Sequence, residues 1–242
     1  MANSPTRPNP NRTEIDAFLA KVAATPAPAA GGRGRLIFAL DATMSREPTW
    51  DTACQIQAEM FEATRAIGGL DVQLVFFRGF GECKSGKWQP NAEGLAAQMG
   101  KVRCHAGRTQ IGKVLAHIKR QAEKTKIGAA IFVGDAFEED IDSVCHTAGE
   151  IGLLGVPVFV FQEGRDPLAE KAFREIARLT GGAWCPFDLQ SAAMLKSLLS
   201  AVAVYATGGM KALQDYSASG GRREAVALIE QMTRPGRGSG QR

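Results

Sequence analysis

Three short apolar runs, at residues 36–40, 129–133 and 156–161, and a further strand at 71–77 alternate with stretches whose apolar side chains recur at helical spacing, and this alternation limits the fold most. Runs of this length with almost no polar break suit strands buried on both faces. Between them, Ile56, Met60, Ala63 and Ile67 line one face of a helix that Pro48 opens and Gly68-Gly69 stops. Ile111, Val114, Leu115 and Ile118 line another, with Thr109 at its start, and an acid-headed helix follows from about Glu138. A helix at 167–179, a short edge strand at 183–187 and a closing helix at 191–205 complete the pattern. The expected fold class is α/β: a doubly wound, mostly parallel sheet with one antiparallel edge strand and helices on both faces. In such sheets ligands gather at the carboxyl ends of the strands, near the point where strand order reverses.

The antiparallel strand is expected at 82–89, turning at Lys84-Ser85-Gly86 before Pro90, with a short helix at 92–99 after it. Ahead of the sheet, Ile15, Phe18, Leu19 and Val22 predict an amphipathic helix over 13–24, and the Ala, Pro and Gly composition up to residue 34 is that of a linker. The chain therefore divides into a polar tail, helix and linker over 1–34, a domain over 35–207, and an extension over 208–242. That extension carries helices near 210–216 and 222–232 and a basic tail with Arg234, Arg237 and Arg242. A length of 242 residues accommodates one substantial domain with tails.

The formal net charge of +4 arises partly in that tail, and no basic stripe interleaved with aromatics accompanies it, so a nucleic-acid partner is not expected. Residues 1–12 lack the basic-then-apolar order of a secretory signal, and the best apolar stretch, 151–161, is interrupted by Gly152, Gly155 and Pro157. No membrane association is expected. Five scattered cysteines without a Cys-x-x-Cys pair fit reduced core thiols in a cytoplasmic protein. Cys104-His105 and Cys145-His146 lack the ligand spacing of a zinc finger.

Asp41-Ala42-Thr43-Met44-Ser45 places a carboxylate and two hydroxyls at alternate positions on the loop leaving the first strand. Thr109 adds a hydroxyl at the mouth of a later helix, and Asp135 a second carboxylate at the end of the run 129–133. If that strand lies beside the first, all five converge on one sheet edge. Oxygen donors with two acids suit a hard cation, Mg²⁺ above all or else Mn²⁺ or Ca²⁺, that keeps some of its waters. Each of these residues taken alone reads more readily as a helix cap or a solvated strand end than as a ligand.

Together, Asp41-x-Thr43-x-Ser45, the segment Gly107-Arg108-Thr109-Gln110-Ile111-Gly112 and Ile131-Phe132-Val133-Gly134-Asp135 resemble the three-part metal-ion-dependent adhesion site of von Willebrand factor A domains. The resemblance covers roughly residues 35–205. It implies that Thr43, Ser45 and Thr109 bind the metal through their hydroxyls, while Asp41 and Asp135 act directly or through water. Thr43 stands where Ser is usual and keeps the oxygen. The resemblance also implies a partner protein, with ATPases, chaperones and stress-response complexes as the classes that bacterial members accompany.

Two enzyme readings compete. Gly81-Glu82-Cys83-Lys84-Ser85-Gly86-Lys87 spells the first seven positions of a phosphate-binding loop, but Trp88 replaces the required hydroxyl and Gln89-Pro90 replaces the helix. A hairpin turn fits the segment better. A haloacid-dehalogenase-like phosphatase would use Asp41 as nucleophile, yet Thr43 stands where its acid should be. The acids Glu138, Glu139, Asp140 and Asp142 read as a helix start that favours its own dipole. The expectation is an interaction module and not an enzyme, gripping a partner's acidic side chain through a divalent cation. A scaffold that uses the same face without metal is the alternative.

Overall fold

The computed structural model describes residues 33–187, 192–220 and 223–233, so the helix expected at 13–24 lies outside the described residues. Six strands, β1 (Gly34–Asp41), β2 (Leu70–Arg78), β3 (Glu82–Ser85), β4 (Ala129–Gly134), β5 (Val158–Glu163) and β6 (Trp184–Phe187), form one sheet in the order β3-β2-β1-β4-β5-β6. All neighbours pair in parallel except β3, which runs antiparallel to β2. β1 is central, with β2 on one side and β4 on the other. Strand order reverses there, so the carboxyl ends of β1 and β4 meet where a doubly wound sheet opens its crevice.

Successive residues of β1 feed opposite layers, because side chains alternate across a strand. Leu36, Phe38 and Leu40 face a core closed by α1 (Glu47–Ile56), α2 (Ala58–Thr64), α3 (Ala92–Met99), α7 (Ala192–Gly220) and α8 (Arg223–Thr233). Ile37 and Ala39 face the other core, beneath α4 (Ile111–Ala122), α5 (Ile141–Leu153) and α6 (Pro167–Thr180). Phe132 anchors that second layer, 5.5 Å from Phe173 in an edge-on pair and 6.2 Å from the stacked Phe77 ring.

Four local expectations are corrected. The β2–β3 reversal falls at Gly79-Phe80-Gly81, where Gly79 takes a positive φ of 60°, and Lys84 and Ser85 instead pair with Phe76 and Val75 inside the strand. The register decides this: each residue up to Ser85 continues the ladder, so the phosphate-loop-like segment is an edge strand and not a turn. The helix expected from Glu138 begins at Ile141, because Asp140 accepts the Ser143 N–H at 2.8 Å as its N-cap. The helix expected from Thr109 begins at Ile111, after Gln110.

The closing helix expected at 191–205 and the one near 210–216 form a single element, α7. This helix is long and apolar enough to cross a membrane by length and composition, which the interrupted stretch 151–161 is not. Leu195, Leu198, Leu199, Val202 and Ala203 of α7 are buried against the sheet with Leu36, Phe38 and Ile131. Its backbone kinks at Gly209, where φ is 69°, and beyond the kink Leu213 packs with Ala225 and Leu228 of α8 in the same core. The extension after residue 207 thus continues the layer that α7 starts.

Candidate functional site

β1 ends on Asp41, which is 4% exposed. Its Oδ1 accepts the Thr43 N–H at 2.7 Å, a bond that turns the chain outward immediately after the strand. Two main-chain bonds hold the turn: Ala42 N–H donates to Phe77 O at 2.9 Å and His105 N–H donates to Ala42 O at 3.1 Å. A single 3₁₀ turn, Met44–Arg46, then leads into α1. In it the Thr43 and Ser45 hydroxyls come within 3.4 Å of each other, Thr43 buried and Ser45 exposed. A carboxylate and two hydroxyls therefore converge from three residues, with one hydroxyl open to solvent.

Burial raises the Asp41 carboxyl from its ordinary 3.8 to about 6. Hydrogen bonding from Thr43 and the Arg46 charge oppose that rise, while the Asp135 charge adds to it. Asp41 and Asp135 thus sense each other across the β1–β4 junction. Their common field favours a positive charge at this rim.

One positive charge is already present. The Arg46 guanidinium, 13% exposed, places Nη2 3.1 Å from Asp135 Oδ2 and Nη1 against Glu163, while Nε lies 3.4 Å from Ser45 Oγ. Glu163 ends β5 and is fixed from the other side by the Thr49 hydroxyl of α1. Neither Arg46 nor Glu163 emerges from the sequence as a site residue. Arg46 is adjacent to Ser45 and Glu163 ends an apolar strand as Asp41 does, so both carried a positional signal, hidden because the apolar run stops at 161.

Thr109 joins the site by a different route. Its hydroxyl accepts the Glu138 N–H at 3.0 Å, and its own N–H donates to Glu138 Oε2 at 3.1 Å, locking the loop before α4 to the loop after β4. Glu139 completes the latch, its carboxylate accepting the Ile111 and Gly112 N–H groups at the first turn of α4. These amides have no partner within the helix, so the acid expected to head its own helix caps a neighbouring one. Gly107 permits the loop's approach to the β2–β3 turn, since a Cβ there would lie 2.1 Å from Gly79 O. The five residues thus fall into two groups at one rim: Asp41, Thr43, Ser45 and Asp135, linked by direct contact or field, and Thr109, tied to Glu138 three positions beyond Asp135.

The donors are all oxygens. Among the described residues no group of three or more His, Cys, Asp and Glu side chains is gathered that could hold a metal ion. Two acids with hydroxyls make an incomplete cage, and that composition fits a hard divalent ion that retains waters.

No family model matches the chain, and no curated protein matches it in sequence. Solved structures match its fold. A von Willebrand factor type A protein from Catenulispora acidiphila superimposes with a TM-score of 0.59 at 14% identity, over 72% of this chain and 43% of that one. An aerotolerance-related membrane protein from Bacteroides fragilis gives 0.53 at 16% identity, over 70% of this chain and 98% of that one. Proximal thread matrix protein 1 from the mussel byssus, whose metal-ion-dependent adhesion site motif holds zinc, gives 0.59 at 12% identity, over 80% of this chain and 51% of that one. The chain thus spans under half the length of the first of these proteins and nearly all of the second.

Proposed function

From the premise that this is a domain of von Willebrand factor A fold, we propose that it is a metal-ion-dependent protein–protein interaction module, binding a partner's acidic side chain through a divalent cation at the sheet's carboxyl edge. The observation that carries the reading is the buried Asp41 carboxylate beside the Thr43 and Ser45 hydroxyls, within the field of Asp135. Thr43, Ser45 and Thr109 would hold the ion by their hydroxyls, with Asp41 and Asp135 acting directly or through water. When bound, the ion supplies positive charge with coordination positions left for a carboxylate. Met44, between the two hydroxyls and 57% exposed, offers a partner an apolar contact beside that charge. Zinc in the corresponding motif of the mussel protein supports a divalent ion without choosing among Mg²⁺, Mn²⁺ and Ca²⁺.

The reading makes the chain a cytoplasmic binding protein and not an enzyme. Titration calorimetry with Mg²⁺, Mn²⁺ and Ca²⁺ is expected to give weak binding to the wild type and none to Asp41→Ala, and an immobilised Asp-rich peptide should retain the wild type only without chelator. Retention that persists in chelator, with no heat of cation binding, would replace the reading by a scaffold that works without metal. The Arg46 guanidinium on Asp135 is the specific observation that favours this second reading.

A further inference from the structure

Of the five candidate cation ligands, two touch a positive side chain that no sequence motif assigns to the site. Arg46 reaches Asp135 with Nη2 at 3.1 Å and Ser45 Oγ with Nε at 3.4 Å, and Nη1 rests against Glu163. A guanidinium presents its donors in a rigid planar fork, so one group spans both carboxylates and the hydroxyl at once. Glu163 is prepared to hold it: its carboxylate is 9% exposed and anchored by the Thr49 hydroxyl. Arg46 itself begins on the residue after Ser45, at the end of a single 3₁₀ turn, so side-chain rotation alone can withdraw it from Asp135. Its Nη1 is paired with Glu163 Oε2.

We propose that Arg46 is the affinity-determining residue of the cation site: its guanidinium occupies the Asp135 and Ser45 oxygens as a resident counter-cation, and a divalent ion must displace it to use them. The proposal rests on the reading that a divalent ion binds here, and it says how tightly. Two positive groups cannot share the same face of Asp135. Bound ion and seated guanidinium are therefore alternatives, with Glu163 as the place to which Arg46 retreats. A partner carboxylate that also pairs with the released guanidinium would favour the ion-bound arrangement.

The test compares Mg²⁺ binding by titration calorimetry in the full chain as wild type, as Arg46→Met, and as Arg46→Met combined with Glu163→Gln. The double variant avoids an unpaired buried Glu163 if the single one folds poorly, and it keeps the net charge of the rim unchanged. Removing a positive charge about 5 Å from a divalent ion should tighten binding roughly tenfold in the single variant. The double variant should keep a gain of several-fold, because the freed oxygens and not the net charge are responsible. In the wild type, the Arg46 Nε–H resonance, identified by its loss in Arg46→Met, should shift as Mg²⁺ is added.

Equal affinity in all three proteins with an unmoved resonance would overturn the proposal, leaving Arg46 as a fixed structural tie. A gain confined to the single variant would also overturn it, because Arg46 would then act through its charge alone. Absence of Mg²⁺ heat from all three proteins would remove the cation reading itself, a result distinct from equal, measurable affinities.

Discussion

Glu139 and Glu163 follow neighbouring strands onto the same rim, yet what holds each of them is different in kind. Glu139 accepts main-chain N–H groups of Ile111 and Gly112, donors that cannot leave while α4 keeps its first turn. Glu163 is held by side chains instead, the Arg46 guanidinium and the Thr49 hydroxyl. The first arrangement fixes the loop that carries Thr109; the second is a contact between side chains, which the proposal above treats as exchangeable. On the proposed cation reading, the first arrangement is a frame that orients the ligands and the second an occupant that the ion displaces. Asp41 has neither kind of partner: burial displaces its proton affinity upward, and hydrogen bonding from Thr43 offsets only part of that rise.

That contrast predicts its largest effect at Asp41. A carboxyl raised from 3.8 to about 6 in the folded chain holds its proton more tightly there than in the unfolded chain. Stability contributed by the group is thus complete below pH 4 and lost as pH rises through about 6, an effect on the order of 3 kcal/mol by linkage. Asp41→Asn keeps the acceptor for Thr43 but cannot ionise, so its urea stability without divalent ions should lack the decline between pH 4 and pH 7 that the wild type shows. Parallel pH profiles in the two proteins would mean that burial does not displace the Asp41 carboxyl. Saturating Mg²⁺ should flatten the wild-type profile, and cation affinity should weaken as pH falls below about 6.

The next effect lies in the frame. Glu139→Ala leaves the Ile111 and Gly112 N–H groups without their acceptor and should cost about 1–2 kcal/mol, the usual cost of losing a helix cap. Hydrogen exchange should quicken at those two amides first. Unchanged protection there would show that water or another acceptor replaces Glu139, and the frame would then be no more permanent than the Arg46 contact.

These two behaviours also mark where the sequence was legible. The strand runs at 36–40 and 129–133 identified themselves because burial on both faces forbids polar residues, and the acid ending each one had to emerge at the same sheet edge. Asp41, Thr43 and Ser45 were readable as a unit because their contacts are local. Glu138 and Glu139 were not, since an acid ahead of a helix reads as serving that helix, and only the tertiary fold brings α4 against them. Arg46 and Glu163 lie 117 positions apart and meet only because β4 and β5 lie side by side beyond β1. Long-range pairing of this kind leaves no periodicity to detect.

The smallest effect separates position from ligation at Thr109. Its hydroxyl accepts the Glu138 N–H, while its main-chain N–H donates to the Glu138 carboxylate, so Thr109→Ala removes one of two ties and leaves the other in place. Loss of one such bond should cost about 1 kcal/mol in urea denaturation. Thr109→Ser restores the acceptor and should recover nearly all of it. Cation affinity distinguishes the two roles, because a hydroxyl with a second lone pair can accept from Glu138 and face an ion at once. Under direct ligation, Mg²⁺ binding falls in Thr109→Ala and returns in Thr109→Ser, whereas Glu138→Gln, which alters only the carboxylate end of the latch, leaves it unchanged. If Glu138→Gln weakens Mg²⁺ as much as Thr109→Ala does, Thr109 acts by holding the loop, and the ion's ligands reduce to those that β1 and β4 deliver.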